Sequence, residues 1–80
     1  MDRELLQRML DLAERRVAEG ETLIDLQREL VAELAQQGMD ASRAMQLLTV
    51  YMEAQAQQME DLDRLLVEAT GLPESSHPDK

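Results

Sequence analysis

From residue 6 to residue 34 the chain repeats mostly apolar side chains at alternating steps of four and three: Leu6, Leu10, Ala13, Val17, Gly20, Ile24, Gln27, Val31 and Leu34. A seven-residue repeat keeps one stripe of a helix turned toward a neighbour, with Leu10, Val17, Ile24 and Val31 at a and Leu6, Ala13, Gly20, Gln27 and Leu34 at d. The pattern predicts a helix over about 3–36, about 50 Å long at 1.5 Å per residue. Its apolar arc is wider than a two-stranded seam needs. Met9, Leu23 and Leu30 extend it through g positions, and Leu5, Leu12 and Leu26 through c positions. Such an arc belongs to a helix that touches more than one neighbour, as in a four-helix bundle. Arg8, Asp11, Arg15, Asp25 and Glu29 occupy the opposite, polar face.

Gly38 suits a left-handed helix C-cap and Asp40 an N-cap, so residues 37–40 are expected to turn the chain into a second helix over about 41–70. A connection this short makes the two helices antiparallel neighbours. The stripe expected on helix 2 is Met45, Leu48, Met52, Gln55, Met59, Leu62, Leu66 and Ala69, broadened by Ala44, Tyr51 and Leu65. Gly71 is a helix stop, Leu72 is expected to fold back on Val67, and Pro73 prevents continuation. The hairpin thus fills 1–72, and 73–80, without apolar residues, is expected to be a disordered tail. A turn centred near residue 39 would set residue i roughly opposite 78 minus i. Gln27 would then face Tyr51, Gly20 would face Gln58 and Met59, and Leu5, Leu6 and Met9 would overhang helix 2.

Size sharpens this picture. A chain of 80 residues with no Cys and one His has neither disulfides nor a structural zinc site to support a small core. Self-association is the remaining device, or else unusually well-idealised helix packing. The formal net charge of -9, from 17 acidic and 8 basic residues, repels nucleic acid and anionic membrane and favours basic partners. The first residues lack the basic-then-apolar layout of a signal peptide, and no apolar run spans a bilayer, so a cytoplasmic protein is expected. Tyr51 is the sole aromatic residue, which leaves no base-stacking platform.

Candidate chemistry is sparse. A di-metal helical bundle needs inward Glu with Glu-x-x-His repeats, and none occurs. Ser42, Ser75, Ser76 and Thr22 have no His or Lys base in a plausible folded neighbourhood, and His77 sits in the polar tail. No enzyme activity, cofactor or metal is therefore expected. Gln27, Gln55 and Gln58 are polar at seam positions, where buried amides fix register and oligomer state. The ladder Met45, Met52, Met59 reads as adaptable core filler, with a partner-binding groove as the other reading. Glu53, Glu60, Asp61, Asp63 and Glu68 form a candidate partner-binding acidic face, balanced only by Arg64.

The strings Ala18-Glu19-Gly20-Glu21, Gln27-Arg28, Gly38-x-Asp40, Ala44-x-x-Leu47-Leu48 and Asp63-Arg64-Leu65-Leu66 resemble a group of short, uncharacterised bacterial helical proteins. The resemblance covers about 17–66 and implies a helical hairpin without a known activity. Such proteins often carry His in the hairpin region, where this chain has Thr22 and Met39.

The expected fold is an all-α antiparallel helical hairpin that dimerises into a four-helix bundle. Leu5, Leu6, Met9, Leu10, Ala13, Val17, Gly20, Ile24, Gln27 and Val31 are the expected self-association residues. The expected function is a protein-interaction or regulatory module, with a homodimer as the first partner. The alternative is an acidic inhibitor of a nucleic-acid-handling protein, of the anti-restriction or anti-CRISPR type, whose carboxylates imitate a phosphate backbone. That reading requires a basic or nucleic-acid-binding partner, with no direct contact to nucleic acid or membrane.

Overall fold

A computed structural model of the chain describes residues 2–71 and consists there of two helices, α1 (Arg3–Gln36) and α2 (Ser42–Thr70), packed against each other as an antiparallel hairpin. Asp2 caps α1, its carboxylate accepting from the Glu4 backbone N–H at 3.2 Å. At the other end, Gly38 N–H donates to Ala35 O (3.1 Å) and Met39 N–H to Leu34 O (2.9 Å). That paired closure is a Schellman turn, and it requires the positive φ of 73° that Gly38 adopts. The turn sends the chain back alongside the last turns of α1.

α2 begins one residue later than expected. Asp40 still satisfies its free end, accepting from the Ser42 N–H at 3.0 Å. This bond from the Ser42 backbone, then one from its hydroxyl, hold the Asp40 carboxyl below its ordinary range. Gly71 closes α2 through its N–H to Val67 O at 2.8 Å. The expected return of Leu72 and the tail 73–80 lie outside the described residues.

The seam expected for α1 is the one that forms. Leu6, Leu10, Ala13, Val17, Gly20, Ile24, Gln27, Val31 and Leu34 are the residues of this helix that are buried or half-buried, and its other positions are exposed. On α2 the expected stripe forms in part. Leu48, Gln55 and Leu62 and the broadening Ala44, Tyr51 and Leu65 turn inward as expected and Gln58 joins them, whereas Met45, Met52, Met59 and Leu66 are exposed, as is Ala69. Both series repeat every seven residues, so periodicity alone does not choose between them. The inward series holds Ala44 and two glutamines, which permit a close approach and hydrogen bonds across the interface.

The register also differs from the expectation. Gln27 meets Ala44 rather than Tyr51, and Gly20 meets Gln55. The displacement is about one to two helical turns along α2. Because the Schellman turn doubles the chain back, α2 starts below the end of α1 and its far end reaches the first turns of α1. Leu6 is therefore only 8% exposed and Leu10 7%, lining a hollow shared with Ala69. Leu5 and Met9 remain exposed.

The hairpin is long and thin, with extents of 52 × 33 × 13 Å. Two helices form one layer, and no large side chain among the described residues is fully buried. A single layer leaves each helix an uncovered side. Among the described residues no helix is long and apolar enough to cross a membrane.

Candidate interaction surface

Two glutamines tie the helices together. Gln27 Nε2 donates to Ala44 O at 2.9 Å, and Gln55 Nε2 donates to Val17 O at 2.8 Å, so each helix sends one amide to the backbone of the other. Both side chains are more than nine-tenths buried. A helical carbonyl keeps a lone pair after its own helix bond, and that is what each amide uses. Gly20 makes the room: a Cβ there would lie 2.8 Å from Gln55 Cδ and closer still to its Oε1. Gln55 Oε1 and Gln58 Oε1 are buried without a hydrogen-bond partner. Any donor that reached them would recover about 1–3 kcal/mol of desolvation each.

Residues one position before the a series of α1 (Met9, Arg16, Leu23, Leu30) and those before Leu48, Gln55 and Leu62 (Leu47, Ala54, Asp61) turn to one flank of the hairpin. Two adjoining clefts place Met9, Arg16, Leu23, Ala54 and Asp61 on that flank. One, of about 350 Å³, includes Met9, Leu12 and Arg16 with Gln58, Asp61, Arg64 and Glu68 in its walls. The other, of about 180 Å³, lies between Arg16, Glu19, Gly20 and Leu23 and Tyr51, Ala54, Gln55 and Gln58. Leu5, Leu12 and Leu26 from α1 and Val50 from α2 widen this leucine flank, and all four are exposed. Its charges are of both signs. Arg64 Nη1 lies 3.6 Å from Asp61 Oδ1, and Arg16 shares their cleft.

Residues one position after the d series of α1 (Gln7, Glu14, Glu21, Arg28) turn to the opposite flank, as do Met45, Met52, Met59 and Leu66 on α2. With Gln27 beside Ala44, steps of seven residues put Arg28 near Met45, Glu21 near Met52, Glu14 near Met59 and Gln7 near Leu66. This methionine flank therefore carries an exposed apolar row beside carboxylates.

The expected self-association set is divided by this geometry. Leu6, Leu10, Ala13, Val17, Gly20, Ile24, Gln27 and Val31 lie on the seam against α2, and Leu5 and Met9 stand outside it. The five carboxylates of the expected acidic face are all exposed but point in different directions. Asp61 and Glu68 line the leucine flank, Asp63 borders the methionine row, and Glu53 and Glu60 turn further outward. Sequence reasoning missed Leu47 and Val50 as surface apolar residues. Their spacing with Ala54, three and then four, was the available signal.

Among the described residues no group of three or more His, Cys, Asp or Glu side chains is arranged to hold a metal ion. No protein-family model, curated protein or solved structure matches the chain.

Proposed function

We propose that this chain is a non-enzymatic protein-interaction module that works as a homodimer, two hairpins meeting through their leucine flanks to form a four-helix bundle. The observation that carries this reading is the exposure of leucines beside a seam already filled: Leu23 is 47% exposed, Leu26 58% and Leu30 43%. These leucines are already about half covered, so burying the rest of one stabilises by about half of the 1.5–3 kcal/mol of a full burial, and a twofold interface counts each twice.

Charge selects the same flank. Copies with net charge -9 repel one another, so they meet best where acidic residues are locally balanced. Arg16, Arg64, Asp61 and Glu68 line one cleft of the leucine flank, and a twofold axis can set the arginines of one copy against the carboxylates of the other. The seam supplies the hairpin, and the flank supplies the dimer.

Sedimentation equilibrium over a wide concentration range tests the reading. A mass twice that of the 9.1 kDa chain is expected, falling to the monomer only on strong dilution. A folded monomer at all concentrations would overturn it.

A further inference from the structure

We propose that the methionine flank is a docking surface for a basic amphipathic helix of another protein. This surface lies on the side of the hairpin away from the leucine flank, so the inference does not depend on dimerisation.

The apolar row is regular. Met45, Met52, Met59 and Leu66 are 55%, 44%, 50% and 39% exposed and follow one another at seven-residue steps. At 1.5 Å per residue the row is about 31 Å long, with one apolar contact about every 10 Å. A helix laid along it meets that spacing with its own seven-residue repeat. Three of the four contacts are methionine, whose unbranched, polarizable side chain adapts to varied partner surfaces.

Charge identifies the occupant. Glu14 and Glu21 border the row from α1, Asp11 and Asp25 stand one step further out, and Asp63 borders it from α2. Arg28, near Met45, is the one basic residue that borders the row, and Arg8 and Arg15 lie on the outer polar face beyond Asp11. A second copy of this chain would bring its own excess of carboxylates into this border, which repulsion opposes. Lys or Arg beside an apolar stripe complements it. The partner is therefore a helix with an apolar face of three heptads and basic residues on both sides of that face. Arg28 at one end orients it, since a basic terminus is disfavoured there.

A synthetic peptide of three Leu-Lys amphipathic heptads is the probe, titrated calorimetrically into the full chain. It should bind once per hairpin. Two paired variants, Met52→Ser with Met59→Ser and Glu14→Gln with Glu21→Gln, should each weaken it by about tenfold or more, with helicity checked by circular dichroism. Leu23→Ser should leave its affinity unchanged. A scrambled Leu-Lys peptide without amphipathic order and a Leu-Glu peptide should both bind at least tenfold more weakly. The proposal is overturned by absence of binding, by equal binding of the scrambled peptide, or by affinity that responds to Leu23→Ser and to neither pair. Dimerisation is read separately by sedimentation, so either idea can fail without the other.

Discussion

On one flank of the hairpin, leucines from both helices lie among Arg16, Arg64, Asp61 and Glu68; on the other, three methionines and Leu66 stand beside Glu14 and Glu21. Both flanks are apolar and exposed, yet they differ in side-chain stiffness and in charge. Branched leucines with mixed charges suit one fixed, self-complementary contact. Unbranched methionines within a carboxylate border suit a basic partner whose exact shape is not prescribed. On the proposed reading a thin two-helix layer carries two interfaces, and the sign of the charge, more than the apolar area, would decide which surface meets which.

The strongest way to break this comparison is to charge each flank in turn. Leu23→Asp with Leu26→Asp removes four half-exposed leucines from the proposed twofold interface, a loss of roughly 3–6 kcal/mol. Sedimentation should then show a monomer at concentrations where the parent is dimeric, whereas Met52→Asp should leave the mass unchanged. A monomer from the methionine variant would reverse the assignment of the flanks.

A second substitution separates seam from flank. Leu10→Ala opens a cavity between the helices and should destabilise the hairpin by about 2–5 kcal/mol, with Leu12→Ala, on the exposed flank, costing less in a monomeric background. Urea unfolding followed by circular dichroism measures both.

The contact of Gly20 with Gln55 predicts a change of sign. Alone, Gly20→Ala displaces the Gln55 amide and loses its bond to Val17 O, a cost of about 1 kcal/mol that offsets the helical gain and, with the steric strain, exceeds it. In a Gln55→Ala background the same change should stabilise by about 1 kcal/mol. A stabilising Gly20→Ala in the parent would show that the amide moves aside without loss.

The smallest effect concerns the turn that sets both flanks in register. Because the folded Asp40 carboxyl titrates below its unfolded value, its contribution is present at neutral pH and is lost as pH falls through the acid range. Asp40→Asn should lower the urea midpoint near pH 7, and the two proteins should converge only once the pH falls below the lowered folded pKa of Asp40. A difference that persists in acid would assign the effect to shape rather than charge.

Much of this molecule is legible in the sequence because the relevant signals are local. Asp2, Gly38, Asp40 and Gly71 mark the helix ends, and a sustained heptad marks the seam of α1. The leucine flank was half legible: Leu5, Leu12, Leu23, Leu26 and Leu30 appear as a widened arc, while Leu47 and Val50 are hidden among other apolar residues of α2. The methionine row was visible as a ladder but was assigned inward, since two parallel heptads on one helix are equally periodic.

By itself, then, the sequence determined two helices, the turn between them, the seam face of α1 and a strong negative charge. Each of these depends on residues within a few turns of one another. Only the tertiary structure decided which face of α2 is buried and which residues stand opposite, because those choices depend on contacts distant in sequence. Gly20 opens a slot that Gln55 fills, Gln27 reaches the carbonyl of Ala44, and the Schellman turn lowers α2 along α1. With the amides turned inward to satisfy backbone oxygens, the methionines are left outside.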